Sequence, residues 1–242
     1  MKKKEKKYIQ TIHTSRTIMF DELKALISHG AFEEEEIIAL NVFNKQSGSG
    51  IRKTLNFLSK LYDFRDDNQL WRIFLFMWKM SNEADQRVLS LLYAVYKDDL
   101  LRASIPVVLN TPKGKKIQVE KLQDKLYDQF PDRYTPKTML SAAQNVASSW
   151  KKAAYIEGKV RNIRIPIQPG YPVVLFALFL GERDGLVGKD LLSTTWIKVL
   201  DQPLSRIKEL LASAALNDLI EYQEAGGIII IRLQKLHNKI TS

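Results

Sequence analysis

The chain of 242 residues contains no cysteine and only three histidines, His13, His29 and His237, far apart in sequence. Disulfide frameworks, thiolate zinc sites, CxxC redox pairs and cysteine nucleophiles are thereby excluded. A chain without disulfides fits a reducing compartment. Long apolar runs are also lacking. The best stretches, Trp71 to Met80 and Pro172 to Leu180, fall short of the ~20 residues that cross a bilayer, and Arg72 and Lys79 interrupt the first. Both read as buried core helices. The amino terminus, Met1 to Lys7, is basic, but polar residues Tyr8 to Arg16 stand where a signal peptide needs an apolar core. These features predict a cytoplasmic protein with no membrane attachment.

Negative charge is in short supply: 37 Lys+Arg stand against 27 Asp+Glu, giving a net charge of +10 and a pI near 9.6. With 45% hydrophobic and 26% charged residues, the composition is that of a folded globule rather than a disordered chain. Catalytic signatures are missing as well. There is no GxSxG and no HExxH, and neither glycine-containing near-match to a phosphate loop has the required residues. In Gly48 to Thr54, Arg52 stands where glycine must precede Lys53; in Gly181 to Asp190, Arg183 replaces the first glycine and Asp190 the metal-binding hydroxyl. The acidic run Glu33 to Glu36 reads as a helix start at the positive end of a helix dipole. The expectation is a non-enzymatic protein with no cofactor and no metal; an enzyme built on dispersed carboxylates is the remaining alternative.

Apolar periodicity predicts helices almost throughout residues 14 to 110. The first runs from about Ser15 to Ile27, capped by Thr14 or Ser15 and stopped by Ser28, His29 and Gly30. The second begins at Glu33 to Glu36 and ends near Asn44. After a flexible link, Ser47 to Gly50, a third presents Ile51, Leu55, Leu58, Leu61 and Tyr62 on one face. Helices near 68 to 80 and 83 to 97 follow.

From residue 98 a second grammar occurs twice. A helix, Asp98 to Leu109, is followed by the basic loop Thr111 to Lys116 and a helix Val119 to Phe130. A turn then leads to a helix capped by Thr135, with Pro136 in its first turn, running to about Lys152. Two extended segments joined at Gly158 complete the unit. The order returns as Tyr171 to Leu180, Asp190 to Leu200, Leu204 to Leu216, and strands Leu219 to Glu224 and Ile228 to Leu233 around Gly226 and Gly227. Helix, helix, turn, helix, hairpin is the winged-helix order. The predicted fold is mainly α (α+β), a helical bundle followed by two winged-helix-like modules with short β-hairpin wings. Its divisions are a basic tail at 1–13, a helical domain at 14–97, and modules at 98–168 and 169–242; a single larger α+β domain is the alternative.

Along Lys137 to Lys152, Met139, Leu140, Ala143, Val146, Ala147 and Trp150 share one face. Lys137, Ser141, Gln144, Asn145, Ser148 and Lys152 share the other, and the segment carries no acid. Gln and Asn suit adenine edges in a major groove, while Ser and the flanking lysines suit phosphates. The hairpin beyond adds Lys159, Arg161 and Arg164. From Arg133 to Arg164 there are seven basic residues and one acid, Glu157. The sequence therefore predicts a duplex-DNA interface of Lys137, Ser141, Gln144, Asn145, Ser148, Lys151, Lys152, Lys159, Arg161 and Arg164. The loop Lys113, Lys115, Lys116 and the tail Lys2 to Lys7 could add nonspecific phosphate contacts. The competing readings are a protein-contact surface and a plain solvated face. The second module, with Glu209, Glu221 and Glu224 near its third helix and wing, suits protein contact better, and its run Ile228 to Ile231 reads as core strand.

The order of segments resembles the BrxA family, small accessory proteins of bacterial BREX phage-defence systems. The likeness lies in Ile37 to Leu61, with Asn41, Ser47, Arg52 and Thr54; in Asp98 to Leu101; in Ser141 to Trp150 with its wing; in Ala177 to Gly181; and in the closing Ala-Gly-Gly hairpin. The resemblance implies a cytoplasmic, non-enzymatic DNA-binding component acting beside a larger defence assembly that includes a methyltransferase and an ATPase. The alternative is an interaction scaffold within such a complex.

Overall fold

A computed structural model describes residues 10–30, 32–65, 68–158 and 160–241. The architecture is mainly helical with two small antiparallel hairpins. Helices α1 (Phe20–His29), α2 (Glu34–Ala39), α3 (Gly48–Tyr62), α4 (Gln69–Lys79) and α5 (Glu83–Lys97) form the first part. Two short helices, α6 (Asp99–Ala103) and α7 (Ile105–Asn110), lead to α8 (Val119–Gln129), α9 (Pro136–Lys152) and the strands β1 (Ile156–Glu157) and β2 (Ile163–Arg164). The last part comprises α10 (Tyr171–Arg183), a 3-10 turn at Gly188–Ser193, α11 (Thr195–Val199), α12 (Leu204–Leu216), β3 (Glu221–Ala225), β4 (Ile228–Arg232) and α13 (Gln234–Thr241). No helix among the described residues is long and apolar enough to cross a membrane.

The first helix starts five residues later than its pattern suggests. Residues 11–18 form an irregular strap because their backbone donors go elsewhere: Ile12 N–H donates to Asp98 Oδ2 at 2.8 Å and Ile18 N–H to Ser149 Oγ at 3.1 Å. Gln10 to His13, the end of the expected tail, are thus part of the fold. The glycine-serine stretch before α3 is its first turn rather than a link, since Ser47 Oγ accepts from Gly50 N–H as an N-cap. The expected single helix over Asp98 to Leu109 divides at Ser104, where Pro106 lacks the N–H that would continue the ladder. The expected helix Asp190 to Leu200 divides into the 3-10 turn and α11, with Thr194 capping the latter.

One apolar core runs through all parts. At its centre lies α10, buried from Pro172 to Gly181, which packs on α4 and α5 on one side and on α11 and α12 on the other. Phe176 stacks against Tyr93 at 6.2 Å and tilts against Phe74 at 5.7 Å, extending an aromatic cluster with Trp71 and Tyr62. The helix begins at Gly170, where a Cβ would stand 2.5 Å from Asp85 Oδ2; glycine is required there by close approach rather than by backbone angle.

Residues 114–117 run beside β2: Gly114 N–H donates to Arg164 O at 2.8 Å, Arg164 N–H to Lys115 O at 2.9 Å and Ile117 N–H to Asn162 O at 2.9 Å. The first hairpin, with Ile156 opposite Arg164, thereby gains a third extended edge. The second hairpin pairs five residues on each strand, Tyr222 opposite Ile231. Of the isoleucine run expected to be core, Ile231 is buried, Ile229 and Ile230 are half-buried, and Ile228 at the turn is exposed. Burial declines along the strand from Ile231 to the turn, where the hairpin leaves the core.

Candidate nucleic-acid interface

Helix α9 is built as its sequence suggests, with Thr135 Oγ1 accepting from Thr138 N–H and Pro136 in the first turn. Met139, Ala142, Ala143, Val146 and Trp150 are buried against α8 and the core. Trp150 Nε1–H donates to Ser104 Oγ at 2.8 Å. Lys137 and Gln144 are exposed, and Ser141, Ser148 and Lys151 are half-buried along the same outer ridge, joined by exposed Leu140. At the tip of the first hairpin Val160 and Arg161 are exposed; Lys159 lies outside the described residues.

Three of the expected contact residues are engaged with other parts of the chain. Asn145 Nδ2–H donates to His13 O at 2.9 Å, so this amide pins the strap. Lys152 Nζ lies 2.6 Å from Asp21 Oδ2, tying the end of α9 to α1. Arg164 is buried, a correction to its expected place on the wing surface. Its guanidinium donates to the carbonyl oxygens of Leu109, at 2.6 Å, and of Thr111, and pairs with Asp201 Oδ2 at 2.9 Å. The end of α7 exposes carbonyls at the negative pole of a helix, and a planar cation with several donors satisfies them. Lys113 also pairs with Asp201, at 3.2 Å, so the expected loop cation is partly compensated.

A polar group beside α9 leaves little trace in the sequence. His13, Asp98 and Ser149 lie far apart in the chain and meet in the interior. Asp98 Oδ2 stands 2.7 Å from His13 Nδ1, and His13 Nε2 lies 2.8 Å from Ser149 Oγ. Asp98 also accepts from Thr11 Oγ1, Ile12 N–H and Leu101 N–H. Burial raises the Asp98 carboxyl, but the His13 charge and these donors outweigh it and hold the group below its ordinary value. The spacing resembles a serine-hydrolase triad, yet Ser149 Oγ faces inward, accepting Ile18 N–H and donating to Asn145 O at 2.8 Å. With its single proton given to Asn145 O, Ser149 can only accept from His13 Nε2–H. This arrangement clamps the strap to α6 and α9. The only sequence signal was a histidine preceding an irregular Thr-Ser-Arg-Thr stretch.

Among the described residues no group of three or more His, Asp or Glu side chains could hold a metal ion. Gly48 to Thr54 is regular helix within α3, and Gly181 lies inside α10, so neither stretch forms a phosphate-binding loop. Comparison with family models, curated proteins and solved structures finds no match to this chain.

Proposed function

We propose that the protein binds duplex DNA through the outer ridge of α9 and the tip of the β1–β2 hairpin, arranged as a winged helix. The observation that carries this reading is an acid-free helix ridge with exposed Lys137 and Gln144 and half-buried Lys151, beside a hairpin tip bearing exposed Arg161. A convex helix of this kind fits a major groove, and a hairpin tip reaches the flanking phosphates or minor groove. The order α7, the edge 114–117, α8, α9, β1, β2 supports it, as does the three-edged sheet around Arg164. In this reading Lys137, Lys151 and Arg161, with Lys159, hold phosphates, while Ser141, Gln144 and Ser148 face the groove. Asn145, Lys152 and Arg164 position the ridge rather than touch DNA. On the resemblance to the BrxA family, the protein acts as a non-enzymatic cytoplasmic accessory of a phage-defence assembly.

The experiment is fluorescence anisotropy with a duplex over a salt series, comparing the wild type with a Lys137→Ala, Gln144→Ala, Arg161→Ala variant. The expected result is a large loss of affinity and a salt slope shallower by about 1 for each phosphate-binding cation removed. Unchanged affinity overturns the reading.

A second reading, a protein-interaction scaffold, is favoured by exposed apolar residues: Val160 at the first hairpin tip is 80% exposed, Ile228 at the second 69%, and Leu216 at the end of α12 89%.

A further inference from the structure

Helix α7 separates two concave features. On the side of α11 lies a cleft of about 860 Å³ whose walls include Tyr96, Arg102, Trp196 and Lys198. On the side of α8 lies a second, of about 430 Å³, lined by Lys115, Lys116, Lys121 and Lys125. Pro106 and Asn110 of α7 border both, so the two adjoin as a trough that α7 interrupts.

The charge along this trough is one-sided. Among the described residues, Lys115, Lys116, Lys121, Lys125 and Lys198 form no ion pair. The one acid in the walls, Asp184, accepts the indole N–H of Trp196 at 2.6 Å. The acids of α8 itself, Glu120, Asp124 and Asp128, do not line the cleft. Lys121 and Lys125, four residues apart on a helix, stand ~6 Å from each other at their Cβ atoms. Uncompensated cations so placed repel one another until an anion lies between them. The positive side chains extend through both clefts instead of converging on one point, so the matching ligand is a chain of anions. The floor of the larger cleft adds an aromatic pair, Tyr96 and Trp196, with ring centres 5.7 Å apart, and Arg183 lies against the Tyr96 ring.

We propose that this trough binds a single strand of DNA by its phosphates, with bases resting against the Tyr96 side of the aromatic pair. A concave, lysine-lined slot with an aromatic floor receives one strand, whereas a duplex is entered by a convex ridge. The site is thus distinct from the α9 surface and does not depend on it.

The test uses the full chain and a fluorescein-labelled 20-nucleotide oligo-dT, read by anisotropy over a salt series. Variants are Lys115→Ala, Lys116→Ala, Lys121→Ala, Lys125→Ala combined, and the milder Lys121→Gln, Lys125→Gln pair, each checked by circular dichroism. The expected result is salt-sensitive binding that weakens at least tenfold in the fourfold variant, with a slope shallower by roughly 0.7 for each phosphate that no longer meets a lysine. The glutamine pair should give a smaller loss in the same direction. The α9 and hairpin variant described above should bind the oligonucleotide as the wild type does, so failure of the duplex reading and of this one are separable. The proposal is overturned by absence of wild-type binding, by equal binding in both lysine variants, or by polyglutamate of the same length competing better than unlabelled oligo-dT. The last outcome assigns the trough to an acidic protein segment instead.

Discussion

The His13 imidazole and the Asp98 carboxylate, 85 residues apart in sequence, meet at 2.7 Å in the interior and hold the strap of residues 11–18 against α6 and α9. Removing one partner leaves the other buried without compensation, which costs about 3 to 5 kcal/mol. His13→Ala and Asp98→Ala are each expected to destabilise by that order in urea unfolding, and the double variant by less than the sum. Additive effects would show that the two residues act separately.

The same pair sets an acid limit. Asp98 is held below its ordinary carboxylate value, so the unfolded chain binds its proton more readily than the folded one. Its stabilisation is complete above the unfolded value of about 4 and is lost as pH falls through the lowered folded value. Unfolding free energy measured at descending pH should therefore drop more steeply for the wild type than for Asp98→Asn in that acid window. Parallel curves refute the linkage.

Arg164 and Asp201 join the two carboxy-terminal parts of the chain. Arg164→Ala strands the carbonyls of Leu109 and Thr111 and leaves Asp201 with Lys113 alone, a loss of about 3 kcal/mol or more. Arg164→Lys should recover little, because one ammonium cannot serve carbonyls and carboxylate in the guanidinium's fork geometry. Thermal unfolding of both variants decides this, and recovery by lysine would show that charge alone suffices.

Gly170→Ala brings a Cβ to 2.5 Å from Asp85 Oδ2 at the start of the central helix. We expect a loss of about 1 to 3 kcal/mol, the range of overpacking substitutions, largely relieved in Gly170→Ala, Asp85→Ala. Burial raises the Asp85 carboxyl despite the Gly170 N–H donor, so its charge opposes folding at neutral pH, and that cost falls as pH descends through the raised value. Asp85→Asn, which keeps an acceptor oxygen for Gly170, is expected to be neutral or slightly stabilising by chemical denaturation.

Serine and tryptophan test the docking of α9. Ser104→Ala removes the acceptor of the buried Trp150 indole N–H, a cost of about 1 to 3 kcal/mol for an unsatisfied buried donor. Near-ultraviolet circular dichroism and urea unfolding read this together, and an unaltered midpoint would place the indole N–H in other company.

The amino-acid sequence by itself determined the helical periodicities, the cap at Thr135, the all-round burial of Pro172 to Leu180 and the hairpin at Gly226 and Gly227, because these depend on neighbours three or four residues away or on turn chemistry. The short closing helix α13 carries a weaker signal, only Leu236 and Ile240 marking its apolar face among mostly polar residues. Only the tertiary structure decided which polar residues of α9 face solvent. A helical wheel separates apolar from polar, but Asn145, Lys152 and Ser149 turn toward the strap and α1, partners more than a hundred residues away. Likewise Arg164 alternates with apolar residues like any wing arginine, and its burial follows from two carbonyls and one carboxylate that the chain brings together only on folding.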